Sequence, residues 1–249
     1  MTGPYALVLR FQGEPVLPTP VQVHAAFLAL VKRGDPALAT ALHNPRLGLR
    51  PFTLALVGNP ATGRLGLRLS VLDPEVFRRF WDRWNARGGL PLVLGRRRLR
   101  PTAADETGPW AGRSDWAALA TGKVDTSVKL AWCTPTVFRQ GDVDLPLPVP
   151  KLVFGGLLDR WNRFSPLPLS LKAPRLERLV GLSSHRLRSR TFHDGRSAIP
   201  GFVGVSEYRI LRSATPDEQR AVQVLAEFAR FAGVGRKTTH GMGLVRVLP

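Results

Sequence analysis

Gly233-Val234-Gly235-Arg236-Lys237-Thr238-Thr239-His240-Gly241-Met242-Gly243, close to the C-terminus, is the stretch from which the rest of the chain is best read. Its four glycines let the backbone take positive φ angles and approach a ligand closely. Arg236 and Lys237 add cations, and Thr238 and Thr239 add hydroxyls. Backbone N–H groups, cations and hydroxyls together suit anionic phosphate oxygens. Two familiar phosphate loops do not fit. A P-loop carries Gly directly before its Lys and runs from strand into helix. Here Lys237 follows Arg236, and the glycines follow a helical pattern. The dinucleotide fingerprint needs a third Gly at 238, which is Thr, and it also opens a helix. A plain helix cap accounts for Gly233. It leaves Gly235, Gly241, Gly243 and the two cations unexplained.

Outward from the loop, the periodicities predict an α+β chain of two tandem ferredoxin-like (β-α-β-β-α-β) domains, 1–100 and 123–249, joined by a linker over 101–122. In the first, Tyr5–Phe11 reads as a strand. Thr19-Pro20 opens a helix through His24 and Phe27 to a stop at Gly34. A short helical piece, Ala37–Leu42, ends at His43-Asn44-Pro45. Phe52–Val57 and Arg64–Val71 alternate around a turn that includes Pro60-Ala61, Asp73-Pro74-Glu75 opens a helix to about Asn85, and Leu90–Leu99 is the last strand. The order then recurs. Val124–Cys133 is a strand, Pro150–Trp161 a helix, and His185–Phe192 and Phe202–Leu211 flank the turn His193-Asp194-Gly195. Thr215 and Glu218 have capping-box spacing and open the helix before the glycine loop. Leu244–Leu248 closes the set.

Composition narrows the partner. The chain has 36 Lys+Arg against 18 Asp+Glu, a net charge of +18, and 30 of the basic residues are Arg. So large a positive excess implies a polyanion. The basic residues are spread along the chain and no helix is both strongly basic and amphipathic, so nucleic acid is preferred to a membrane surface. The single cysteine, Cys133, excludes a disulfide framework and a cysteine-based zinc site, and is expected to sit in an apolar strand as a small hydrophobe. Met1–Arg10 reads as strand rather than signal peptide, and no apolar run approaches the ~18–20 residues of a membrane span. A cytoplasmic protein is expected.

A basic, tandem ferredoxin-like chain that ends in helix, G-x-G-[RK]-K-T-x-x-G-x-G and strand resembles the CRISPR-associated repeat-processing endoribonucleases of the RAMP superfamily. Thr134-Pro135-Thr136-Val137-Phe138 followed by Leu147-Pro148-Val149-Pro150, the helix Phe154–Trp161, and Pro200-Gly201-Phe202-Val203-Gly204 are similar to further segments of that family. The likeness covers essentially the whole chain, with the glycine loop as its specific part. It implies an endonuclease that needs no metal or cofactor and cuts precursor CRISPR RNA within each repeat, usually at the base of a stem-loop. The expected products carry 5′-hydroxyl and 2′,3′-cyclic phosphate, or 3′-phosphate, ends. It also implies a catalytic histidine near the first helix and RNA held by the glycine loop and second domain. The alternative is a non-catalytic RAMP-type subunit that binds processed RNA. Homodimerisation and association with a CRISPR effector complex stay open as partner readings.

Metal-free RNA cleavage needs a base for the 2′-hydroxyl, an acid for the departing 5′-oxygen and cations for the phosphorane, and histidine suits both proton roles. His43, after a helix end and before the basic residues Arg46 and Arg50, is the catalytic candidate; a helix cap is its plainer reading. His24, beside Val21, Phe27 and Leu28, reads equally as a boundary residue or a second catalytic group. His240, inside the loop, reads as an RNA contact, and His185 and His193 as surface or RNA-contact residues. Arg186, Arg188 and Arg190 alternate along a strand, and such a row of like charges favours an anion laid over it. Arg96-Arg97-Arg98 and Arg100 extend that track. Lys151, Arg160 and Arg163 are weaker RNA candidates. No pair of carboxylates stands at metal-ligand spacing near these groups.

Overall fold

The first sheet is built from strands buried along most of their length, Ala6 and Val8 of the first strand included. Along β1 (Tyr5–Gln12), Tyr5, Leu7, Leu9 and Phe11 point to one face and are buried. A computed structural model describes residues 3–44, 48–59, 62–169, 171–193 and 197–249. Pro45, Arg46, Pro60, Ala61, Asp194 and Gly195, which belong to expected turns, lie outside the described residues.

The chain divides into two compact units. The first holds residues up to Arg113, with short pieces at His193 and at the loop tip Thr239–Gly241. Its elements are β1, α1 (Pro20–Gly34), α2 (Pro36–His43), β2 (Phe52–Val57), β3 (Arg64–Val71), α3 (Arg78–Ala86), β4 (Leu92–Leu94), β5 (Arg97–Asp105) and β6 (Gly112–Arg113). The strand order is β2-β3-β1-β5-β4, with β6 on β1 and all pairs antiparallel. In ferredoxin-like numbering, β2-β3-β1-β5 reads 2-3-1-4. Leu7 lies opposite Leu69 and Leu9 opposite Leu67, and this face packs with Phe27 and Leu30 of α1 and with Phe77 and Phe80.

The joint between α1 and α2 is built on Asp35. Thr19 and Gln22 form a capping box at the start of α1. At its end, the Asp35 N–H donates to the Val31 carbonyl at 2.6 Å. The Asp35 carboxylate accepts from the Leu38 N–H at 3.0 Å, so one residue closes α1 and caps α2.

The second unit contains α4 (Trp116–Ala120), β7 (Ser127–Thr136), the hairpin of β8 (Phe138–Gln140) and β9 (Val143–Leu145), α5 (Pro150–Phe164), α6 (Ala173–Leu179) and β10 (Val180–Ser189). Two-residue strands β11 (Phe192–His193) and β12 (Ala198–Ile199), then β13 (Phe202–Ile210), α7 (Pro216–Ala232) and β14 (Val245–Leu248) complete the chain. The strand order β10-β13-β7-β14 is again 2-3-1-4. Val128, Leu130 and Trp132 of β7 and Tyr208 and Ile210 of β13 are buried, as are Val153, Phe154, Leu157 and Trp161 of α5 and Val222, Leu225 and Phe228 of α7.

Several expectations need correction. Leu90–Leu99 is not one strand, because Gly95 at φ 64° turns the chain between β4 and β5. β5 continues to Asp105 and β6 pairs with β1, so the sheet extends into the stretch expected to be a linker. β10 begins at Val180 rather than His185, directly after the unexpected α6. Cys133 is exposed: Val128, Leu130 and Trp132 take the buried face of β7, and Cys133 lies with Lys129 and Ala131 on the other. No helix among the described residues is long and apolar enough to cross a membrane.

Candidate functional site

The glycine loop is largely consumed in building itself. Gly233, Gly235, Gly241 and Gly243 all have positive φ, and so does Lys237 at φ 56°. A Cβ on Gly243 would meet the Val234 carbonyl oxygen at 2.0 Å, and one on Gly235 the Val137 oxygen at 2.5 Å. These close approaches carry hydrogen bonds. Val234 N–H donates to Gly243 O at 2.9 Å, Arg236 N–H to Val137 O at 3.1 Å, and Gly243 N–H to Pro135 O at 3.0 Å. Gly241 alone among the four has open space where a side chain would start.

The side chains named for RNA divide accordingly. Thr238 is buried, and its hydroxyl accepts from the Arg160 guanidinium at 3.3 Å. Arg160 also donates to the Ala232 carbonyl at the end of α7. Burial lowers its pKa to about 10. Arg160 therefore ties the end of α7 to the loop through two of its donors. Arg236 is paired with Asp144 of β9, and Lys151 with Glu177 of α6. Asp144 also pairs with Arg139, and its hydrogen bonds to the two arginines hold its carboxyl below the usual range against its own desolvation. Lys237, His240 and Gly241 are half-buried, and Thr239 is buried.

At that tip lies a histidine cluster belonging to the first unit. His24 Nδ1 stands 2.9 Å from the Thr239 carbonyl oxygen, 215 residues away in sequence. Its ring stacks on His240 with centroids 4.0 Å apart and planes at 14°. Phe52 of β2 is nearly parallel to it at 6.4 Å. His240 Nδ1 is 3.1 Å from the Thr239 hydroxyl. Burial pushes the His24 imidazole below its ordinary pKa. The Thr239 contact works against that shift, while the charges of Arg50 and His43 add to it. His43, the last residue of α2, is exposed. Arg50 donates to the carbonyls of Leu42 at 2.6 Å and Asn44 at 2.9 Å, covering the end of α2 beside His43. His43 and Arg50 therefore act electrostatically on His24, and the His240 ring is stacked on it. Arg46 lies outside the described residues. The sequence did not announce His240 as a neighbour of His24, because nothing local links residues so far apart along the chain.

A second basic feature lies within the second unit. β10 is an edge strand on which Arg186 and Arg188 are exposed, with exposed Arg190 just beyond its end. Arg186 stands opposite Val205, Val205 opposite Ala131, and Ala131 opposite Arg246. That row runs across the sheet face away from the buried residues. Lys129 and Cys133 share it. Arg188, Arg190, Cys133, Thr134 and Gly204 line a shallow hollow of about 420 Å³. Lys129 and Arg246 were missed, although their alternation with Val128, Leu130 and Val245 would have placed them outward. His185 and His193 are exposed. On β5, Arg97 is paired with Glu14, while Arg98 and Arg100 are exposed. Among the described residues, no three His, Cys, Asp or Glu side chains stand where they could hold a metal ion.

Comparison with known proteins gives a consistent set of likenesses. The family profile described as CRISPR-associated endoribonuclease Cas6 matches residues 130–245. A CRISPR-associated endoribonuclease Cas6 of Mycobacterium tuberculosis is 30% identical over 141 residues, which is 55% of this chain and 44% of that protein. One from Streptococcus thermophilus is 26% identical over 117 residues, 46% of this chain and 47% of that one. The chain thus matches less than half the length of these curated relatives. A solved Thermus thermophilus Cas6 is 33% identical, with a TM-score of 0.81, covering 100% of this chain and 99% of that one. The same protein in its product complex reaches a TM-score of 0.89, covering 100% of both chains.

Proposed function

The chain belongs to the Cas6 family of CRISPR-associated endoribonucleases, and on that premise we propose that it cuts precursor CRISPR RNA within its repeats by a metal-independent, histidine-assisted reaction. The observation that carries this reading is the neighbourhood of His24, in which the His43 imidazole and the Arg50 guanidinium both lie within electrostatic reach of the His24 ring. One imidazole takes the 2′-hydroxyl proton as the 2′-oxygen attacks the adjacent phosphorus. The bond from phosphorus to the 5′-oxygen then breaks, and the other imidazole gives that oxygen a proton. The fragments end in a 2′,3′-cyclic phosphate and a 5′-hydroxyl. Arg50, fixed by two carbonyls, stabilises the added phosphorane charge.

RNA is held by the exposed cations rather than by the core of the glycine loop. Arg186, Arg188 and Arg190, with Arg246 and Lys129 on the same sheet face, offer guanidiniums and an ammonium to backbone phosphates. Lys237 at the loop adds to them. Arg160, Arg236 and Thr238 act instead as internal ties of the loop.

Incubation with repeat RNA in EDTA tests the proposal. Cleavage should proceed to 5′-hydroxyl and cyclic-phosphate ends, and a 2′-deoxy nucleotide at the cut should stop it. RNA binding without cleavage, in EDTA and in Mg²⁺ alike, would overturn the enzymatic reading in favour of a non-catalytic RNA-binding subunit.

A further inference from the structure

We infer that the tip of the glycine loop is a positioning device for the reaction: the Thr239 carbonyl and the His240 ring hold His24 with its proton on Nδ1 and its lone pair on Nε2, which makes His24 the base. This rests on the reading of a histidine-assisted cut and deepens it, for it gives each imidazole one role and moves His240 from RNA contact to catalytic support.

The argument starts from a donor count. A carbonyl oxygen has no hydrogen to give, so the 2.9 Å contact with Thr239 exists only when His24 Nδ1 carries the proton. A neutral imidazole has one proton, and Nε2 is then an acceptor. The neutral form is favoured by burial and by the charges of Arg50 and His43. Among the described residues, the charged groups acting on His24 are His43 on α2 and Arg50 ahead of β2, and the rings against it are His240 on the loop and the uncharged Phe52 on β2. None is a carboxylate that would retain a second proton on the ring.

Orientation is restricted as well. The His240 ring lies against His24 at 4.0 Å, nearly parallel to it, and Phe52 lies parallel at 6.4 Å. A ring stacked in this way and pinned at Nδ1 has little rotational freedom, so Nε2 keeps a fixed direction. His240 is itself held through Nδ1 by the Thr239 hydroxyl at 3.1 Å. Two successive residues therefore act on one imidazole, Thr239 through its backbone and His240 through its face. His43, exposed at the end of α2, is left as the acid for the 5′-oxygen.

Two measurements test this. Nitrogen-15 spectra of the ring nitrogens, with the His24 signals assigned by their loss in His24→Asn, should show protonated Nδ1 and bare Nε2 at neutral pH. A proton on Nε2 of the neutral ring would overturn the assignment. Single-turnover cleavage of His240→Ala at saturating RNA should fall between about tenfold and a hundredfold, as small misplacements of a reacting group do. RNA affinity should stay within about threefold. The acid limb of its rate profile should move to higher pH, because uncovering His24 relieves the burial that lowers its pKa. His240→Phe, which keeps a flat ring, should recover most of the rate. Weakened binding with an unchanged saturated rate would instead make His240 an RNA contact and sink the inference. If His24→Asn and His43→Ala both cleave normally, histidine catalysis itself fails, an outcome the spectra alone would not produce.

Discussion

Pro20 and Pro150 each open a helix of 15 residues after the first strand of a ferredoxin-like unit, and the fifth residue of each helix separates the two units. In the first unit it is His24, half-buried and stacked on His240. In the second it is Phe154, fully buried and edge-on to Tyr208 at 5.1 Å. The short helix that follows repeats the contrast. α2 ends in exposed His43, whereas α6 ends in Leu179, which is completely buried. The same topology thus supports two outcomes. Where the second unit fills these helix positions with apolar side chains, the first gives up packing and places titratable rings at the surface.

The largest expected effect would break the contrast on its chemical side. His43→Ala should slow cleavage by about 10²–10⁴, the usual worth of a general acid or base, with RNA affinity changed by no more than a few fold. Single-turnover rates beside filter-binding isotherms would show it, and an unchanged rate would remove His43 from the mechanism. On the packing side, Phe154→Ala should cost about 3–5 kcal/mol of unfolding free energy. His24→Ala, at the same helix position, should cost less than about 1 kcal/mol. Urea titrations of the two variants give the comparison directly.

The glycine loop permits a finer test, since its arms belong to the second unit and its tip to the first. Gly243→Ala combines a φ of 71° with a contact of 2.0 Å to a carbonyl, so it should destabilise by more than the about 1–3 kcal/mol that strained φ alone costs. Gly241→Ala, with φ 97° and open space, should stay within that range. Equal losses would mean that the tip is as tightly packed as the arms. The smallest effect is expected from Arg186→Ser with Arg188→Ser. RNA affinity should drop and its logarithmic salt slope should flatten by about 0.7 per lost phosphate contact, with the saturated cleavage rate unchanged.

Much of this was legible in the sequence. Alternation in Phe52–Val57 and Arg64–Val71, and the Thr215/Glu218 capping box, marked their elements correctly because each signal is local. β5 was only partly legible, since Arg97–Asp105 buries Leu99 as its main apolar anchor and owes its strand form to pairing with β1. The early start of β10 was hidden by Gly181, Ser183 and Ser184, which have no apolar rhythm. The loop was recognised as a motif, but not as a hydrogen-bonded structure, because its partners Pro135 and Val137 lie about a hundred positions earlier. For the histidines, sequence supplied the residue types and the helix ends. The tautomer of His24 depends on a backbone carbonyl that only tertiary structure brings near.

Cys133 offers an experimental opening of a different kind. It is the chain's one thiol, it is exposed, and it shares a hollow with Arg188 and Arg190 on the second unit's sheet. A maleimide dye would therefore attach at a single defined place without any engineered cysteine. Its emission would report phosphates arriving at the arginines as an event separate from the cut, so that docking and cleavage could be timed on the same molecule.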